Sequence, residues 1–265
     1  MLKSRLLNTL MLTALTVPCL AMAEEAATGT TANIALVSNY LYRGISQTGG
    51  KPALQGGFDY AHASGFYAGV WGSGISWLSD LYTQSAGTAG SNNSGVELDT
   101  YLGFKNSFAT DFSYDVGLLR YNYPGTYPAG ATKGDTDEVY GQLGYKWVTA
   151  KYSYSLGNTF GVPDARGTSY VDLSANYPLA DSGYMLGAHY GRQEYKGSSA
   201  AFVAAGGQIA SYSDYRLSVN RDFSGYVVSL AYSRTNAPTN AGAFYTILGN
   251  QLGKGAAVLS VARTF

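Results

Sequence analysis

From residue 31 onward, apolar and polar residues alternate with a period of two, in runs separated by clusters of Gly, Ser, Asn and Asp. This period marks β-strands with one apolar and one polar face. The clearest run is Val96 to Lys105, with Val96, Leu98, Leu102 and Phe104 on one face and Glu97, Asp99 and Lys105 on the other. Twelve such runs are predicted, at 31–43, 52–62, 66–77, 95–105, 111–123, 136–147, 148–157, 169–178, 184–193, 211–221, 226–235 and 255–265. Each lies near the roughly 9–11 residues with which a tilted strand crosses a bilayer.

The connections sharpen this picture. Residues 63–65, 106–110, 179–183 and 222–225 form short links, and strands six and seven meet near Trp147-Val148. Between them fall long links at 44–51, 78–94, 124–135, 158–168, 194–210 and 236–254, rich in small and polar residues and read as mobile. Strict short–long alternation is the pattern of an outer-membrane barrel, with short periplasmic turns and long outer loops. A soluble sandwich has no reason to gather every long loop at one end. The predicted fold is therefore all-β, a transmembrane antiparallel β-barrel of twelve strands with both termini in the periplasm.

The N-terminus changes where this chain is expected to go. Lys3 and Arg5 precede an uncharged apolar run from Leu6 to Leu20, followed by Ala21-Met22-Ala23. This is the layout of a secretory signal peptide, expected to be cleaved after residue 23, leaving 24–265 as a single barrel domain. Pro18 before Cys19 breaks the pattern of a lipid-anchor site. The exported part then has no cysteine and no disulfide. Without Lys3 and Arg5, its basic residues fall from 17 to 15 against 17 acidic ones, which argues against nucleic acid as a partner. The 24 tyrosines and 34 glycines are unusual for a soluble globule. Tyr40, Tyr42, Tyr60, Trp71, Tyr121, Tyr145, Trp147, Tyr177, Tyr184, Tyr190, Tyr226 and Tyr232 fall near predicted strand ends, where they are candidates for interfacial girdles.

The chain ends on Phe265, after a strand that places Ala257, Leu259 and Val261 on the lipid side. A terminal Phe of this kind resembles the signal read by the outer-membrane assembly machinery. Arg263 shares that lipid parity, and its long stem can snorkel to the interface.

Charges in such a barrel belong inside, because a basic residue facing lipid near the midplane costs about 2–4 kcal/mol. The pore-lining candidates are Arg43, Asp59, Glu97, Asp99, Lys105, Asp115, Lys146, Lys151, Asp172, His189, Asp214 and Arg216. Arg43-Gly44, at the mouth of the first outer loop, is the preferred mouth or constriction candidate; the alternative is an arginine that pairs with a nearby carboxylate to hold the loop. Catalytic signatures are absent: there is no G-x-S-x-G elbow, P-loop or zinc spacing. No metal or cofactor is expected. Asp135, Asp137 and Glu138 read as a solvated rim and His62 as a turn residue. A barrel enzyme acting on lipid would need His189 beside a serine and an orienting group.

Two blocks carry a family resemblance. Arg43-Gly44-Ile45-Ser46-Gln47-Thr48 and Gly65-Phe66-Tyr67-Ala68-Gly69-Val70-Trp71-Gly72 resemble the proteobacterial Gcw_chp family, also called TorF-family porins. The resemblance implies an outer-membrane channel without naming its solute. The expected function is passive diffusion of small hydrophilic solutes, with outer-membrane lipid and the assembly machinery as further partners and an oligomer left open. The alternative is a non-conducting barrel whose outer loops bind a partner.

Overall fold

The computed structural model describes residues 28–86, 92–198 and 208–265. The predicted signal peptide at 1–23, and parts of the loops at 78–94 and 194–210, lie outside them. Twelve antiparallel strands close into one barrel. In chain order they are β1 (Gly29–Val37), β2 (Ala53–Ala61), β3 (Phe66–Gly74), β4 (Val96–Phe108), β5 (Phe112–Asn122) and β6 (Thr136–Tyr145). They continue as β7 (Val148–Ser155), β8 (Ser169–Pro178), β9 (Tyr184–Glu194), β10 (Tyr212–Phe223), β11 (Tyr226–Thr235) and β12 (Ala256–Thr264). Each strand pairs with its neighbour in sequence, and β1 closes on β12 from Asn33 opposite Thr264 to Val37 opposite Ser260. Closure leaves no unpaired edge, the condition for strands to cross hydrocarbon.

Alternation assigns the two faces. Leu54, Phe58, Leu98, Leu102, Val116, Leu118, Leu143, Leu173, Leu217, Leu230 and Leu259 are exposed on the outside. Apart from Leu119 and Val258, their inward neighbours on the same strands are polar, small or aromatic. An apolar outer band around a polar interior is the inverse of a soluble barrel and spans a membrane. Among the described residues no helix is long and apolar enough to do so.

Trp147, Tyr145, Tyr177, Tyr184, Tyr226, Tyr60, Tyr190 and Tyr232 are exposed on the outer face, as a girdle requires. Arg263 reaches over Tyr226, 4.6 Å from the ring centre, and its Nη1 donates to that phenol at 2.6 Å. The four other girdle candidates, Tyr40, Tyr42, Trp71 and Tyr121, are corrected: they point into the barrel and pack together there.

Two loops depart from expectation. The first strand ends at Val37 rather than running to residue 43. Residues 39–48 turn inward, and Leu41–Tyr42 pairs with Ile45–Ser46 as a small hairpin inside the lumen. Its two central residues, Arg43 and Gly44, both have positive φ (46° and 76°), the geometry of a tight primed turn. The second outer loop segment is not wholly irregular: α1 (Trp77–Ala86) follows Ser76, whose hydroxyl donates to Asp80 at 2.9 Å. Helix and hairpin share a cluster in which Trp77 and Leu81 pack with Ile45, Ile247 and Leu252. The loop after β11 is bonded to both, through Ser46 N to Leu252 O at 2.9 Å and Leu248 N to Gln84 Oε1 at 2.6 Å.

Candidate functional site in the barrel lumen

The inward hairpin delivers Arg43 to the middle of the lumen. Its guanidinium is buried, donating to Glu138 Oε2 of β6 at 2.8 Å and to Gln193 Oε1 of β9 at 2.7 Å. It lies 4.3 Å from the Tyr170 ring centre and 4.9 Å from that of Tyr42. One side chain thus ties the hairpin to three strands of the wall. Gly44 is fixed beside it by close approach: a Cβ there would fall 2.6 Å from Thr235 Cγ2 and 2.7 Å from Asp214 Cβ. Glycine is the residue that tolerates both this φ and this space.

Tyrosines extend the network around the wall. Tyr40 donates to Glu97 at 2.8 Å, and Tyr42 donates to Tyr121 at 2.7 Å. Tyr67 donates to Asp115 at 2.7 Å and is hydrogen-bonded to Tyr140, and Tyr101 donates to Asp59 at 2.5 Å. Lys151 stands 3.8 Å above the Tyr140 ring. On the far side, His189 lies between two carboxylates, 2.8 Å from Asp214 and 3.4 Å from Asp172. Tyr170 donates to Asp214 at 2.9 Å, next to Arg43. Tyr40 and Tyr42, on the inward loop, are pushed above the ordinary phenol range by burial.

Eleven of the twelve predicted lining residues face this interior. Asp59, Glu97, Asp99, Lys105, Asp115, Lys151, Asp172, His189, Asp214 and Arg216 do so from strands, and Arg43 from the hairpin. Lys146 does not, and its assignment is corrected. It sits in the tight β6–β7 turn with positive φ, half exposed, 3.7 Å from Asp111. Strand parity stops at Tyr145, so it cannot be counted through the turn. Glu138, read as part of an outer acidic rim, instead faces inward. Asp135 and Asp137 remain outside beside Arg120.

Sequence reasoning missed Glu138, Gln193, Tyr170 and the inward tyrosines as site residues. The detectable signal was the Thr136–Glu138 alternation, which gives Glu138 inward parity.

On the loop side every strand contributes an inward residue that is at most 6% exposed: Val37, Gln55, Ser73, Glu97, Tyr121, Glu138, Ser153, Tyr170, Gln193, Asp214, Ser233 and Val258. A continuous water channel would leave its lining accessible. At this level the lumen is filled. A cavity of about 20 Å³ remains between Gly44, His189, Asp214, Arg216 and Ser233, room for about one water.

A serine and carboxylates do surround His189, with Ser174 Oγ 3.0 Å from Nδ1. However, Ser174 donates its proton to Asp172 at 2.6 Å. A nucleophilic serine must instead give its proton to the imidazole. The group is arranged as an ion-pair network.

A family model described as "Bacterial protein of unknown function (Gcw_chp)" matches residues 22–265. No curated relative matches the chain. Among solved structures, the barrel is similar to the NanC porin, with a TM-score of 0.51 and 8% identity over 89% of this chain and 99% of that one. The KdgM porin gives a TM-score of 0.49 and 8% identity over 89% and 98%. OprD from Pseudomonas aeruginosa gives 0.38 and 13% over 89% and 66%. At these identities the likeness to NanC is one of fold.

Proposed function

Given that the chain belongs to the Gcw_chp family, we propose that it is an outer-membrane porin that passes small hydrophilic solutes by diffusion and is held closed by its inward hairpin. The observation that carries this reading is the lumen itself, a charged and hydroxyl-lined core with a loop folded into it. Several of its buried polar atoms, among them Arg43 Nε, Asp115 Oδ2 and Ser260 Oγ, have no hydrogen-bond partner among the described residues. Such atoms call for solvation, so the interior suits water better than dry packing. In this reading residues 1–23 direct export and are removed, and Phe265 directs insertion. Selectivity comes from the lining charges and the radius left when the hairpin moves.

A second reading, a plugged barrel whose outer loops bind a partner, draws on the filled ring of inward residues. Planar bilayers separate the two. The porin reading expects discrete conductance steps from purified folded protein and swelling of proteoliposomes in small sugars. Permanent silence over the full voltage range would leave the plugged barrel.

A further inference from the structure

The lumen is not evenly balanced. Glu138 is neutralised by Arg43, and Asp172 and Asp214 face His189. Asp115 stands directly opposite Lys105 across β4 and β5. Glu97 and Asp99 differ. They lie two residues apart on the inner face of β4, 1% and 3% exposed, and neither makes an ion pair among the described residues. Glu97 Oε2 and Asp99 Oδ1 also lack any hydrogen-bond partner among them. An uncompensated buried carboxylate is costly, and two side by side more so.

Aromatic rings surround this pair. Trp71 and Tyr121 are the cross-strand partners of Asp99 on its two sides. Tyr40 bonds Glu97 and meets Trp71 edge-on, with ring centres 5.7 Å apart. Carboxylates with open oxygens beside aromatic rings match an alkylammonium ion in charge and in surface once the hairpin has left and made room for it. An inorganic metal is a poorer match, since no group of three or more acidic, His or Cys ligands is set to hold one among the described residues.

We propose that Glu97 and Asp99, with Trp71 and Tyr121, form a recognition site for small organic cations bearing a primary ammonium group, and that such cations are the preferred solutes. The preference for solutes rests on the porin reading; the site itself does not. Each carboxylate accepts hydrogen bonds from an ammonium, and the rings cover its alkyl portion. Same-face residues on a strand stand about 6.6–6.8 Å apart, so a short diamine reaches both.

The test is titration calorimetry on the folded full chain in micelles, with 1,4-diaminobutane and, as an opposite charge of equal length, succinate. It is run on the native protein and on a variant with residues 41–46 replaced by Gly and Ser, so that restricted entry is not mistaken for a missing site. Saturable diamine binding is expected in the loop variant, where the hairpin no longer fills the lumen, with none for succinate. Binding should weaken about tenfold or more in Glu97→Gln/Asp99→Asn, which retains the heat-modifiable gel shift of a folded barrel. Diamine binding unchanged by that double substitution, or absent from both proteins, overturns the proposal. Diamine binding by a barrel that never conducts removes the porin reading and leaves the site standing.

Discussion

Replacing Arg43 by Met tests the closing device at its centre. The substitution removes the cation from a buried pair in which both partners are about 2% exposed. Breaking such a pair costs about 3–5 kcal/mol, mostly because the remaining charge is left uncompensated. Here that charge is Glu138, and the Tyr121 phenol, which donates to it at 3.4 Å, replaces part of the loss. The lower end, about 3 kcal/mol, is the better guide. The barrel ladder does not pass through Arg43, so the loss falls on hairpin docking. At about 1.4 kcal/mol per decade, the closed-to-open ratio should fall by about a hundredfold. Single-channel recording reads this directly as a rise in open probability. Glu138→Gln added to Arg43→Met should recover part of the docking, since it removes the stranded carboxylate. Arg43→Met channels as closed as the native ones, with unchanged urea stability, would refute the reasoning.

Three further outcomes follow from neighbouring contacts. Gly44→Ala introduces a Cβ 2.6 Å from Thr235 Cγ2 at a φ of +76°. It should undock the hairpin by about 1–3 kcal/mol while leaving the barrel folded, seen as faster protease cleavage within 38–52. Gly69→Ala places a methyl 2.5 Å from the Tyr101 ring, which lies against β3. It should destabilise the barrel to urea unfolding by about 1–3 kcal/mol, and this penalty should shrink when measured in a Tyr101→Ala background. Burial raises the phenols of Tyr40, Tyr42, Tyr123 and Tyr245, all outside the barrel strands. They stay protonated in the folded state where the unfolded chain ionises near pH 10, so stability is intact below that pH and falls as pH rises above it. Absorbance at 295 nm should therefore show a fraction of the tyrosines titrating only on unfolding; full titration of the folded barrel near pH 10 would contradict it.

Much of the barrel is legible in the sequence because lipid imposes it. Period-two alternation and turn clusters locate β8 and β11 to the residue, since Pro178 with Leu179-Ala180-Asp181 and Asn236-Ala237-Pro238 stop each run sharply. Parity places the charges inward for the same reason. The errors arise where alternation continues past the barrel wall. Leu41-Tyr42-Arg43 keeps a strand pattern but belongs to a hairpin, announced by Ser38-Asn39 before it and Arg43-Gly44 within it. Lys146 inherits a parity that its turn cancels. Trp71 and Tyr121 look like girdle residues because tyrosine and tryptophan suit a strand on either face. The Arg43–Glu138–Gln193 contact joins positions 95 and 150 residues apart, which local pattern does not encode.

The central claim is that a hydrated lumen lies behind the inward hairpin. Its most direct test is planar-bilayer recording of the native chain beside the variant with residues 41–46 replaced by Gly and Ser. Brief openings are expected from the native barrel and sustained conductance from the variant. Two equally silent proteins, each with the gel mobility of a folded barrel, would contradict it.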